Sequence, residues 1–91
     1  MILKISSQFA SDFRAVNDVS LHEKVKDVLE IIKNAKTIAN VSHFKKIKGN
    51  REAYKMGIGF YYIVGITNSE TELVLMRFLH RDMVTKILNK T

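Results

Sequence analysis

Residues 53–78 read AYKMGIGFYYIVGITNSETELVLMRF, and this stretch carries the pattern that decides the fold. Tyr54, Met56 and Ile58 alternate with small or charged residues, as in a half-buried strand. Residues 60–64 are aromatic or β-branched and predict a second strand. Residues 67–70 predict a turn, and residues 71–78 predict a third strand that is apolar on both faces and therefore covered on both. The stretch predicts an antiparallel meander of three strands.

The N-terminal residues predict a strand followed by a short helix. Residues 1–5 alternate between apolar and polar side chains, which is typical of a strand. Ser6 or Ser7 is a suitable N-cap for the helix, because a serine hydroxyl accepts a bond from a free backbone N–H group of the first turn. One apolar stripe of that helix has the spacing i, i+4 and i+7 and consists of Phe9, Phe13 and Val16.

A long amphipathic helix is predicted next. Residues 20–23, Ser-Leu-His-Glu, fit a capping box in which the serine and the glutamate each accept a backbone N–H bond. The apolar positions recur at intervals of three and four residues and comprise Leu21, Val25, Val28, Ile32, Ala35 and Ala39. We expect this helix to end near residues 37–40. After the strands, Asp82 is a suitable N-cap for a short C-terminal helix.

The order of these elements predicts the fold class. A strand, two helices, a three-strand antiparallel meander and a short C-terminal helix form a two-layer α+β fold. The first strand must join the later ones through a crossover that carries both helices. With 91 residues and no linker or repeat, residues 1–91 are predicted to form a single domain.

Composition narrows the classes of function. The chain has no cysteine, which excludes disulfides and thiolate chemistry. It has no apolar run long enough to span a membrane and no signal peptide, so we expect a cytoplasmic protein without membrane contact. The three histidines are isolated from carboxylates, so no metal site is predicted. A formal charge of +6 favours acidic partners such as nucleic acid or an acidic protein.

The positive charge is concentrated between His43 and Lys55, where Glu52 is the only acidic residue. Two interpretations remain open, an exposed solvated loop and a patch that follows a phosphate backbone. On the second interpretation, the cluster predicts nucleic-acid-binding residues at Lys45, Lys46, Lys48 and Arg51.

Four ordered motifs resemble the RelE/ParE toxin superfamily. They are Lys-Ile-Lys-Gly at 46–49, Tyr-Lys-Met at 54–56, Gly-Phe-Tyr at 59–61 and Phe-Leu-His-Arg at 78–81. The resemblance extends over essentially the whole chain, because the leading strand and two helices also fit the family's RelE-like fold.

This resemblance implies a function and partners. It implies the toxin of a type II toxin–antitoxin system, a ribosome-dependent mRNA endonuclease that inhibits translation, or a relative that poisons DNA gyrase. The implied partners are a cognate antitoxin and mRNA on the ribosome. No cofactor is implied.

Candidate catalytic residues come from the motifs and from the needs of RNA cleavage. Attack by a 2′-hydroxyl requires a base, positive charge at the phosphate and an acid for the leaving oxygen. Lys55 and Arg81 can supply the charge, and His80 can act as acid or base. Tyr61 matches the family pattern, and Tyr61 or Tyr62 can stack a base. Because adjacent strand residues point to opposite faces, one of the two tyrosines is predicted to be in the core.

Two features favour a different function. Where the family usually offers arginines, this chain has Gly57 and Tyr62. A binding protein of the same fold without nuclease activity is therefore the alternative, either directed at gyrase or binding only its antitoxin. Arg77, within the last strand, either points at the site as a nucleic-acid-binding residue or pairs with Glu52 or Glu72. A third possibility is an unrelated basic α+β protein that binds RNA without cutting it.

Overall fold

The computed structural model describes residues 1–47, 49 and 52–88. In chain order the elements are β1 (Ile2–Ile5), α1 (Ser7–Ala15), α2 (Val19–Asn34), a 3-10 turn (Ile38–Asn40), β2 (Lys45–Lys46), β3 (Ala53–Ile58), β4 (Tyr61–Ser69), β5 (Glu72–His80) and α3 (Arg81–Leu88). The strands form one five-stranded sheet in the order β1-β5-β4-β3-β2. The predicted α+β class and order of elements are confirmed.

The sheet is mixed, and its topology follows from the predicted crossover. β1 lies parallel to β5, with Ile2 opposite Glu72, and α1 and α2 lead the chain from β1 at one edge of the sheet to β2 at the other edge. All other neighbours are antiparallel. The meander has one more strand than predicted, because β2 pairs with β3 through Lys45 opposite Lys55. Two residues are too few for a pattern of period two to be recognised in the sequence.

The main core lies between the sheet and the pair α1 and α2. Its most deeply buried side chains come from both layers and are Phe9, Val25, Ile32, Ile63, Leu73, Leu75 and Phe78. The predicted stripe of α2 is confirmed at Leu21, Val25 and Ile32, which are all buried. Each such side chain contributes about 1.5–3 kcal/mol of favourable burial free energy, which explains why this face of the sheet fixes the register of the strands.

A second, smaller cluster covers part of the opposite face. Val64, Leu79 and Val84 are buried there, with Ile47 and Tyr62 packed against them. Val64 points away from the main core because its neighbour Ile63 points into it. Residues paired across strands share a face, so the partner of Val64 on β3, Lys55, also lies on this second face. The rest of this face is where a functional site can form.

The start of α2 differs from the predicted capping box. Asp18 is the N-cap, and its carboxylate accepts the N–H of Leu21 at 3.0 Å. The prediction of Ser20 as the cap is wrong, because Ser20 is already within the first turn. The helix also ends at Asn34, before the predicted residues 37–40, where the backbone becomes extended.

Ser6 and Asp12 fix α1 to the edge of β5 beyond the end of β1. Ser6 caps α1 and donates a hydroxyl hydrogen bond to the carbonyl of Met76 at 3.1 Å. Asp12 accepts hydrogen bonds from Arg77 Nε at 2.7 Å and from Arg77 Nη2 at 3.2 Å. The same carboxylate accepts the backbone N–H of Phe78 at 3.0 Å. Asp12 thereby satisfies a strand edge that would otherwise lack a partner.

Replacing Asp12 with alanine should lower the free energy of unfolding by about 2 kcal/mol at neutral pH, because a charged acceptor of three hydrogen bonds is lost.

Burial tends to raise the pKa of Asp12, but the hydrogen bonds from Arg77 and Phe78 and the charge of Arg77 hold that pKa below its ordinary value of 3.8. A lowered carboxyl pKa stabilises the fold above the ordinary pKa and loses that contribution as pH falls through the folded pKa. Urea unfolding should therefore show the gap between wild type and Asp12→Ala narrowing as the pH falls below the ordinary carboxyl pKa of 3.8 and through the lowered pKa of the folded state. A gap that stays constant over this range would contradict the role of the carboxylate charge.

Candidate nucleic-acid interface

A shallow groove crosses the sheet face opposite α1 and α2. It has a volume of about 400 Å³ and is lined by His43, Lys45, Lys55, Gly57 and Tyr62. We call these five residues and the space between them the basic groove. Three of the predicted site residues thus come together, joined by two that the sequence analysis did not select.

Two lysines meet in the basic groove because of the pairing of β2 with β3. Lys45 and Lys55 are directly opposite each other in the antiparallel register. Like charges at such positions repel, so an anion bound between them would be favoured. Lys55 Nζ lies 5.1 Å from the ring centroid of Tyr62, a cation–π contact that directs the ammonium over the groove. The arrangement suits a phosphate group next to a stacked base.

Gly57 gives Tyr62 its position in the groove. The two residues are opposite each other in the β3–β4 register. A Cβ atom at Gly57 would lie 3.2 Å from Tyr62 Cε1, closer than ordinary van der Waals contact. The Tyr62 ring therefore occupies the space that a longer side chain at position 57 would need.

His43 is a groove residue that the sequence analysis missed. Val41, two residues before His43, is 5% exposed. Phe44, directly after His43, packs edge-on against Tyr54, with ring centroids 6.5 Å apart. These two apolar neighbours hold the segment to the main core. Phe44 points to the core side, and His43 lines the opposite side together with Lys45. A prediction of β2 and its alternation would have been needed to find it.

Tyr61 and His80 lie on the core side of the sheet rather than in the groove. They are paired across β4 and β5, and their rings are 5.3 Å apart. Tyr61 stacks on the buried ring of Phe78 at 5.0 Å, which confirms that one of the two adjacent tyrosines belongs to the core. The His80 ring stacks on Phe60 at 6.3 Å, and His80 Nδ1 accepts the N–H of Asp82 at 3.3 Å.

Arg81 begins α3 next to the turn between β3 and β4. Its backbone N–H donates to the carbonyl of Phe60 at 2.8 Å, and its guanidinium carbon lies 5.1 Å from the Phe60 ring centroid. Phe60 is 63% exposed, and Gly59 beside it has a φ of +58°, which gives the turn its shape. α3 borders the groove face because Val84 and Tyr62 share the small second cluster. Arg81 does not line the basic groove, and its guanidinium lies on the Phe60 ring at the end of the hairpin.

The remaining predicted binding residues do not join the groove. Lys46 is opposite Tyr54 in the register, on the other side of the sheet from Lys45. Arg77 pairs with Asp12, a partner that the sequence analysis did not consider. Lys48 and Arg51 lie outside the described residues.

The described residues offer neither a metal site nor a helix that could span a membrane. No group of three or more histidine, cysteine, aspartate or glutamate side chains there could hold a metal ion. In the same part of the chain, every helix is too short or too polar to cross a membrane.

Comparison with solved structures identifies the architecture. The chain superposes on a protein of a RelB–RelE antitoxin–toxin complex from Methanococcus jannaschii with a TM-score of 0.77, covering 92% of this chain and 96% of that one. The chain has the RelE-like fold. Sequence identity to that protein is 25%, and the resemblance predicted from the motifs is confirmed at the level of the fold. No protein-family profile matches the sequence, and no curated protein is significantly similar to it.

The basic groove draws most of its lining from three neighbouring strands of this fold. Its positive charges come from β2 and β3, at Lys45 and Lys55, and its aromatic surface comes from Tyr62 on β4. Whatever binds here meets two ammonium groups, an imidazole and a phenol ring on one open face.

Proposed function

We propose that this chain is the toxin of a type II toxin–antitoxin pair and that it cleaves mRNA on the ribosome. The basic groove is the observation that carries the proposal. It combines two paired lysines with an aromatic ring under one of them, which suits a single-stranded nucleic acid. The RelE-like fold, shared with a protein of an antitoxin–toxin complex, supports the toxin role.

In this proposal the groove supplies the positive charge that stabilises the transition state of cleavage. When a 2′-hydroxyl attacks the neighbouring phosphorus, negative charge builds up on the phosphate oxygens of the transition state. We assign the stabilisation of that charge to Lys55 and Lys45, which line the groove, and to Arg81 at the start of α3. Tyr62 is placed to stack a neighbouring base.

Tyr61 and His80 receive a positioning role in this proposal instead of the catalytic one predicted from the sequence. Both lie on the core side of the hairpin end, in contact with each other. Their rings support Phe60 and the start of α3, and therefore the position of Arg81.

A cognate antitoxin in the same cytoplasm is part of the proposal. The groove is open and cationic, and the edge strand β1 exposes the apolar side chains of Ile2 and Ile5. We assign the covering of these surfaces, and with it the control of the toxin, to the antitoxin. An acidic segment laid on the groove would neutralise the lysines and exclude mRNA.

Induced expression in a bacterial host tests the toxin role. Wild type should stop growth and create new 5′ ends in transcripts, and Arg81→Ala should do so much more weakly. Lys24→Ala is the matched control, since Lys24 is an exposed cation on α2, on the far side of the sheet. Unimpaired growth and intact transcripts with folded wild type would contradict the proposal.

The alternative is a binding protein of the same fold without nuclease activity. Its specific support is the Tyr62 ring lying over Gly57, where the family offers arginines. A gyrase-directed toxin would arrest growth and inhibit DNA supercoiling while leaving transcripts intact. A protein that only binds an antitoxin would be inert in both assays but would bind the product of a neighbouring gene.

A further inference from the structure

We propose that His43 is the general base of the basic groove, an inference that rests on the proposed cleavage of RNA. A cleavage site needs a group that removes the proton of the 2′-hydroxyl. Histidine is the side chain that most often serves as a general base, and His43 supplies the imidazole among the residues that line the groove.

The position of His43 is fixed by its neighbours in the chain. The N–H of Phe44 donates to the carbonyl of Val41 at 3.3 Å, which closes the turn that contains His43. Two residues further on, Lys45 is held in the sheet by its pairing with Lys55. The backbone of His43 is therefore held between a core anchor and a strand, and its exposed side chain lines the groove. A fixed backbone keeps the imidazole within reach of a phosphate bound in the groove.

His80 is less suited to the same task. Its Nδ1 already accepts the N–H of Asp82 at 3.3 Å, and its ring is packed against Phe60 and Tyr61 on the core side of the sheet. The lysines proposed to bind the phosphate, Lys45 and Lys55, line the opposite face with His43. Proton transfer and charge stabilisation must act on the same phosphate, which favours His43.

The proposed step conserves atoms and charge. The proton of the 2′-hydroxyl passes to the His43 ring while the O2′–P bond forms and the P–O5′ bond breaks. The departing 5′-oxygen takes a proton from water, and the imidazolium returns its proton to solvent. The products are a 2′,3′-cyclic phosphate and a 5′-hydroxyl end, and nothing is oxidised or reduced.

Single-turnover cleavage of ribosome-bound mRNA tests the role of His43. His43→Ala should lower the rate by about 100-fold or more, and added imidazole should restore part of the loss. His43→Gln, which keeps polarity but cannot transfer a proton, should be as slow as His43→Ala. Ser42→Ala, an exposed neighbour in the same turn, is the control and should cut at the wild-type rate.

A modified substrate separates a base from an acid. In mRNA with sulfur in place of the bridging 5′-oxygen, the leaving group needs no proton, so a general base remains necessary and His43→Ala should stay slow. If sulfur restores His43→Ala to the wild-type rate, His43 is the acid and the proposal is overturned.

The proposal is also overturned if wild type and His43→Ala, both shown to be folded by urea unfolding, cut normal mRNA equally fast. If wild type itself does not cut, the proposed function fails, and the assignment of His43 fails with it.

Discussion

Replacing Lys55 with alanine should lower the rate of mRNA cleavage by about 100- to 1000-fold, the loss expected when one fixed group that stabilises transition-state charge is removed. Lys55 is placed for this role by two independent contacts. Its backbone is paired with Lys45 and its ammonium lies 5.1 Å from the Tyr62 ring centroid. The substitution removes the charge directed over the groove and leaves Lys45 as the remaining lysine that lines it. The rate is measured under single-turnover conditions, so that binding and chemistry can be separated.

Three controls make this prediction specific. Lys55→Arg should recover part of the rate because it keeps the charge but changes the shape of the donor. Lys24→Ala should cut normally, since Lys24 lies on α2, away from the groove. The urea midpoint of Lys55→Ala should be close to that of wild type, because Lys55 is part of neither apolar cluster. A folded Lys55→Ala protein that cuts at the wild-type rate would show that the basic groove is not the site of cleavage.

Replacing Phe78 with alanine should lower the free energy of unfolding by about 3–5 kcal/mol, as large-to-small changes of buried aromatic residues do. Phe78 is 2% exposed and lies where α1 meets the sheet. Its ring is 5.9 Å from that of Phe9, 5.8 Å from that of Phe13 and 5.0 Å from that of Tyr61. A loss of this size is a large part of the total stability of a small domain, about 5–15 kcal/mol.

The matched variant for Phe78 is leucine, which refills part of the space. Phe78→Leu should lose less stability than Phe78→Ala, because a smaller cavity remains. Urea unfolding at constant pH measures both variants. An alanine variant with an unchanged urea midpoint would contradict the packing of these four rings around one another.

The sequence predicted the fold well because its elements repeat a period over many residues. The apolar stripe of α2 and the alternation of β3 depend on five or more residues each, so one unusual position does not hide them. The cap of α2 was misplaced because Asp18 and Ser20 both suit the role and lie two residues apart. Tertiary packing decides between the two possible caps, and a local sequence motif carries no information about that packing.

The candidate site was predicted only in part, because its geometry depends on which face each side chain takes. Lys45, Lys55 and Tyr62 were selected from the sequence, and the structure brings them together. His43 was not selected, because β2 is too short to reveal its alternation. Arg77 was considered for the site, but its partner Asp12 is 65 residues away in the chain, and only the crossover connection brings the two together.

The most direct test of the central claim uses purified wild-type protein and one defined, end-labelled mRNA, incubated with and without ribosomes. We predict cleavage only when the mRNA is bound to the ribosome, at sites in the coding sequence, giving 5′-hydroxyl ends. Intact mRNA in both reactions, with protein shown to be folded, would contradict the claim that the basic groove is a nuclease site and would favour the binding function.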